Sequence, residues 1–88
     1  MSKKVLVVDD DPDVRLFNAT VVEESGHIPM EAENGEEGLK MVKEEAPDLV
    51  ILDVLMPRQS GIRLYRELKT DKSLRNVKVI MLSGVAKR

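Results

Sequence analysis

The side chains in this sequence placed to do chemistry are acids that sit where apolar runs stop. Leu49-Val50-Ile51-Leu52 is a run of four apolar residues, the pattern of a strand buried on both faces in a parallel sheet, and it stops at Asp53. Val5-Leu6-Val7-Val8 is a second such run, rich in β-branched residues, and it stops at Asp9, Asp10 and Asp11. A third, Val77-Lys78-Val79-Ile80-Met81-Leu82, stops at Ser83-Gly84. In a parallel sheet these endings share one edge, the edge at which open α/β folds bind ligands. Carboxylates gathered there repel: two unit charges about 4 Å apart cost roughly 4 kcal/mol at an effective dielectric near 20. Protonation of one acid or a bound cation relieves that cost. An all-oxygen site with few protein ligands suits Mg²⁺. A cation at that place also prepares the site for a phosphoryl group, with Asp53 as a nucleophile toward phosphorus and Ser83 as a hydrogen-bond donor to the added oxygens.

The intervening segments read as the helices that bring those endings together. Asp11-Pro12 is a helix start, with Asp11 as N-cap, Pro12 at the first helical position and Asp13 in the first turn. Val14, Phe17, Val21 and Val22 are spaced for one buried face, and Ser25-Gly26 ends that helix. Residues 27–32 form a weak strand, which Pro29 confines to a sheet edge; His27 reads as a surface residue. Asn34 caps a second helix with Leu39 and Val42 facing inward and Lys40, Lys43, Glu44 and Glu45 solvated, closed by Ala46-Pro47. After a loop at Arg58-Gln59-Ser60-Gly61, a third helix carries Ile62, Leu64, Tyr65 and Leu68, and residues 71–76 are a polar connection. The order β-α-β-α-β-α-β predicts a parallel sheet with right-handed crossovers.

Bulk properties narrow the options. The chain of 88 residues is a single small domain, with 42% hydrophobic residues and one Phe and one Tyr. It has no Cys, which excludes disulfides and thiolate metal sites. A net charge of -2 and no basic stripe with interleaved aromatics argue against direct contact with nucleic acid. The opening Met-Ser-Lys-Lys and its four-residue apolar run are too short for a signal peptide or membrane span, so the expected location is cytoplasmic, with no membrane partner.

Val7-Val8-Asp9-Asp10, Leu52-Asp53-Val54-Leu55-Met56-Pro57 with Gly61, and Met81-Leu82-Ser83-Gly84 together resemble the receiver domain of two-component response regulators. The resemblance runs over residues 1–88 in order and with the family's spacing. It implies a flavodoxin-like, CheY-like three-layer α/β/α fold with strand order 2-1-3-4-5, whose second strand is an edge as Pro29 requires. It implies that Asp53 is the phosphoacceptor, taking phosphate from a sensor histidine kinase, a phosphotransfer protein or a small phosphodonor in a Mg²⁺-dependent reaction. By the same resemblance Asp10, Asp53 and the backbone carbonyl of Leu55 ligate Mg²⁺, Asp9 assists through a water, and Ser83 is the switch hydroxyl.

The sequence departs from the family pattern in three places. Ser60 stands where the family often has Asp. Leu55 is apolar two residues past the phosphoacceptor, where it bears on access of hydrolytic water. The family's fifth strand, Lys-Pro turn and last two helices have no counterpart in these 88 residues, and no lysine, Lys87 included, stands at the clamp position. The reading is therefore a receiver domain truncated after its fourth strand, with impaired phosphorylation and with residues 77–82 exposed as an edge open to homo-oligomer formation. The alternative is an unphosphorylated interaction or self-association module using that edge. A phosphatase would want an acid at Leu55, and a nucleotide binder would want glycines where Asp9, Asp10 and Asp11 stand.

Overall fold

The computed structural model describes residues 2–53, 56 and 60–82. Within them the elements are β1 (Lys4–Val8), α1 (Pro12–Glu24), β2 (Ile28–Ala32), α2 (Gly35–Glu45), β3 (Leu49–Asp53), α3 (Ser60–Thr70) and β4 (Lys78–Leu82). All strand pairs are parallel and the sheet order is β2-β1-β3-β4. Pro29 therefore lies on an edge strand, as its missing N–H demands. Among the described residues β4 forms the opposite edge, with Ile80 and Met81 both exposed.

Register is set at the strand starts. The Lys4 N–H donates to the Asp48 carboxylate at 2.9 Å and the Lys4 carbonyl accepts from the Asp48 N–H at 2.9 Å, which fixes β3 against β1. Val8 then pairs with Leu52, and the next residues, Asp9 and Asp53, stand side by side. Leu6, Val8, Val50 and Leu52 face α2 and α3 and form one core with Val42, Leu64 and Leu68. Val5 and Val7 face α1 and pack with Val22, while Leu49 and Ile51 on that side are only half-buried. The expectation that the β3 run is sealed on both faces thus holds for Val50 and Leu52, because α1 lies over β1 and β2 rather than over β3.

The inward face of α1 also differs from its apolar pattern. Phe17 and Val21 are 67% and 46% exposed; the buried residues are Ala19 and Val22. A small residue at position 19 lets the helix sit close to the sheet, and Arg15 reaches Glu31 on β2, turning Phe17 and Val21 to the other flank. The helix caps match expectation. Asp11 accepts from the Asp13 and Val14 N–H groups, and Asn34 accepts from the Glu37 N–H. Ala46 ends α2 in the left-handed region at φ 48°, and Gly26 follows α1 at φ 87°.

The third helix begins at Ser60, inside the segment expected as a loop. Ser60 Oγ accepts the Gly35 N–H, tying the start of α3 to the start of α2. A Cβ at Gly35 would run into the Ser60 carbonyl oxygen, a backbone atom that cannot swing aside. Gly→Ala gains up to about 1 kcal/mol of helix propensity, whereas overpacking costs about 1–3 kcal/mol. Gly35→Ala is therefore expected to lower stability, read as an earlier urea midpoint with unchanged slope.

Candidate functional site

Three acids meet at the C-terminal rim of the sheet because two neighbouring strands end level. Asp53 is the last residue of β3 and Asp9 follows β1; both are 1% exposed, while Asp10 is exposed. One carboxylate oxygen from each of Asp9, Asp10 and Asp53 lies within 4.8 Å of the others. The convergence expected from sequence is present for these three. Leu55 and Ser83, the other two expected site residues, lie outside the described residues, as does Lys87.

At such separations a pair of full charges repels by about 3 kcal/mol at an effective dielectric near 20, less for Asp10, which water screens. The local structure offsets part of this. Asp9 Oδ1 accepts the Asp11 N–H at 3.0 Å, and the N-terminus of α1, where the helix dipole favours anions, begins three residues beyond Asp9. The guanidinium of Arg15 donates from Nη1 to the Asp9 carbonyl at 2.9 Å and from Nε to Glu31 Oε1 at 3.1 Å.

Arg15 did not stand out in the sequence, since the apolar pattern of α1 drew attention to its neighbours. The available signal was its place one turn past the Asp11 cap, from which a long side chain folds back to the rim. His27 lies at the other end of the sheet, where Nδ1 accepts the Lys3 N–H at 3.1 Å, a structural role. Asp10 also lines a groove of about 430 Å³ between α2 and α3, floored by Leu39, Met56 and Leu64. The donor set of the rim is all carboxylate oxygen, which fits a hard divalent cation of the Mg²⁺ type.

An open parallel sheet of this order with an acidic rim defines a flavodoxin-like domain of the CheY type. Residues 5–88 match the response regulator receiver domain, and the chain belongs to that family, the receivers of two-component phosphorelay signalling. It is 44% identical over 83 residues to the probable C4-dicarboxylate response regulator DctR of Bacillus subtilis, covering 92% of this chain and 36% of that protein. It is 35% identical over 84 residues to the phosphate regulon transcriptional regulatory protein PhoB of Escherichia coli, covering 96% of this chain and 37% of that protein. The chain thus spans little more than a third of these relatives.

Among solved structures, the N-terminal domain of a response regulator receiver protein from Methanoculleus marisnigri superposes with a TM-score of 0.85 at 37% identity, covering 90% of this chain and 64% of that one. The chemotaxis response regulator CheY4 of Vibrio cholerae gives 0.84 at 25% identity, covering 92% and 68%. Membership in this family does not favour a phosphorylation-independent module. Receiver domains bind Mg²⁺ at an aspartate cluster, and Asp9, Asp10 and Asp53 form a group that could hold such an ion. Among the described residues no helix is long and apolar enough to cross a membrane.

If the rim is held together against its own charge, removing one charge should stabilise the metal-free protein. Asp10→Asn is expected to raise the melting temperature in chelator, read by circular dichroism melts, and a melting temperature equal to or below that of the wild type would count against the repulsion.

Proposed function

We propose that Asp53 is the phosphoacceptor of this receiver domain, that its phosphodonor is a histidine kinase or phosphotransfer protein, and that the exchange takes place in the cytoplasm. The observation that carries the reading is the placement of the buried Asp53 within 4.8 Å of two further carboxylates at the end of a central strand. In the proposed step an Asp53 carboxylate oxygen attacks phosphorus, a P–O bond forms as the P–N bond of a phosphohistidine breaks, and the imidazole leaves with the bonding pair and takes up a proton. Asp10 and Asp53 would hold Mg²⁺ directly with the Leu55 carbonyl, and Asp9 through a water. When bound, the ion offsets charge on the transferred oxygens. Burial of Asp53 in the rim keeps the nucleophile oriented, and the Asp11 N–H holds Asp9 beside it. Ser83 would hydrogen-bond the phosphoryl oxygens. The domain would act as a signalling acceptor, with only self-phosphorylation and self-dephosphorylation as catalysis of its own.

Acetyl phosphate with Mg²⁺ is expected to add one phosphoryl group to the 88-residue chain by intact-mass analysis, slowly because no lysine clamp is identified in its sequence. Asp53→Asn should remove the adduct; an adduct that persists in Asp53→Asn would refute the assignment.

We propose further that the 88-residue chain self-associates through β4. Its outer rim carries exposed Ile80 and Met81 and only Lys78 as a charge, whereas β2 is guarded by Pro29 and Glu31. Gel filtration should show concentration-dependent association of the 88-residue chain, lost in Ile80→Lys; a clean monomer at all concentrations would count against it.

A further inference from the structure

We infer that Arg15 is a positioning residue for the acidic rim, locking the peptide group that joins Asp9 to Asp10; the inference rests on the reading of that rim as a Mg²⁺ and phosphoacceptor site. The side chain of Arg15 is only 19% exposed and folds back from α1 to reach two elements at once. Nη1 donates to the Asp9 carbonyl at 2.9 Å, and Nε donates to Glu31 Oε1 at 3.1 Å on the outer strand β2. The Asp9 N–H is itself held by the Ala32 carbonyl at 3.1 Å, and Asp9 Oδ1 by the Asp11 N–H at 3.0 Å.

Those bonds fix Asp9 from three sides. The carbonyl that Arg15 holds belongs to the peptide plane between the two adjacent acids. Rotation of that plane is the freedom that would swing Asp10, which is exposed and so has little packing of its own to hold it. Glu31 anchors the guanidinium to the sheet, so the fork transmits the position of β2 to the rim. A planar fork can satisfy both partners at fixed geometry, which a single ammonium cannot.

Removing Arg15 has two effects of opposite sign on a divalent cation. Loss of a positive charge near three carboxylates favours cation binding, and loss of the fixed peptide plane disfavours it. The charge effect is small, because the guanidinium is already paired with Glu31 and that pair is partly open to water. Groups that orient metal ligands typically change affinity by about 10–100-fold when removed. The positioning effect should therefore win.

The test is Mg²⁺ titration of the 88-residue chain by calorimetry, with chelator melts as the stability control, at low salt and at about 0.5 M salt, where exposed charges are screened. Arg15→Ala is expected to bind Mg²⁺ about tenfold more weakly than wild type at both salts, with a chelator melting temperature near that of wild type. Arg15→Lys should recover only part of the loss. Equal or tighter binding by Arg15→Ala overturns the inference, as does a weakening that vanishes at high salt. Should Arg15→Ala not fold, full wild-type affinity in Arg15→Lys overturns it by itself. Wild-type binding with an unaffected Arg15→Ala removes the role of Arg15 and leaves the rim reading standing; no Mg²⁺ binding by wild type removes both.

Discussion

Parallel pairing in fixed register is the constraint from which the rest of this structure follows. The exchange between Lys4 and Asp48 at the strand starts aligns Val8 with Leu52, so that Asp9 and Asp53 end up level five residues later. Like charges do not choose that arrangement. It is imposed by a core of aliphatic side chains, Leu6, Val8, Val50 and Leu52 among them, whose burial is worth far more than the repulsion at the rim. The three acids are thus brought to one place by the packing of the strands that carry them, and their carboxylate oxygens form a group that could hold a cation.

The same register explains why the loop after β1 is so heavily bonded. Asp9, Asp10 and Asp11 occupy a single bend between a strand and a helix, yet they do different work. Asp11 caps α1, Asp9 is pinned and buried, and Asp10 faces water. Three identical side chains are told apart by backbone geometry alone. Ser60, which differs from the family pattern, has a use of its own in joining α3 to α2 through the Gly35 N–H.

Element order, the edge position of β2 and the meeting of Asp9, Asp10 and Asp53 were legible in the sequence because they depend on period and punctuation, whereas the full strand order was implied by the family resemblance. Apolar runs that stop at acids, Asp and Asn caps and Pro29 each act over a few residues. What was not legible depends on contacts between distant segments. The apolar spacing of α1 pointed to Phe17 and Val21 as core, but the rotation of the helix is set by the small Ala19 and by Arg15 reaching Glu31, neither of which a pattern of hydrophobicity registers. The helical start at Ser60 was hidden for a related reason, since its partner Gly35 lies 25 residues away.

Pro29 on β2 has a consequence for the geometry of any larger assembly. Pro29 removes one outward N–H from the β2 flank and Glu31 adds a charge there, so among the described residues the β4 flank is the better suited to receive a further strand. A sheet whose two flanks differ in this way favours growth on one side over growth on both.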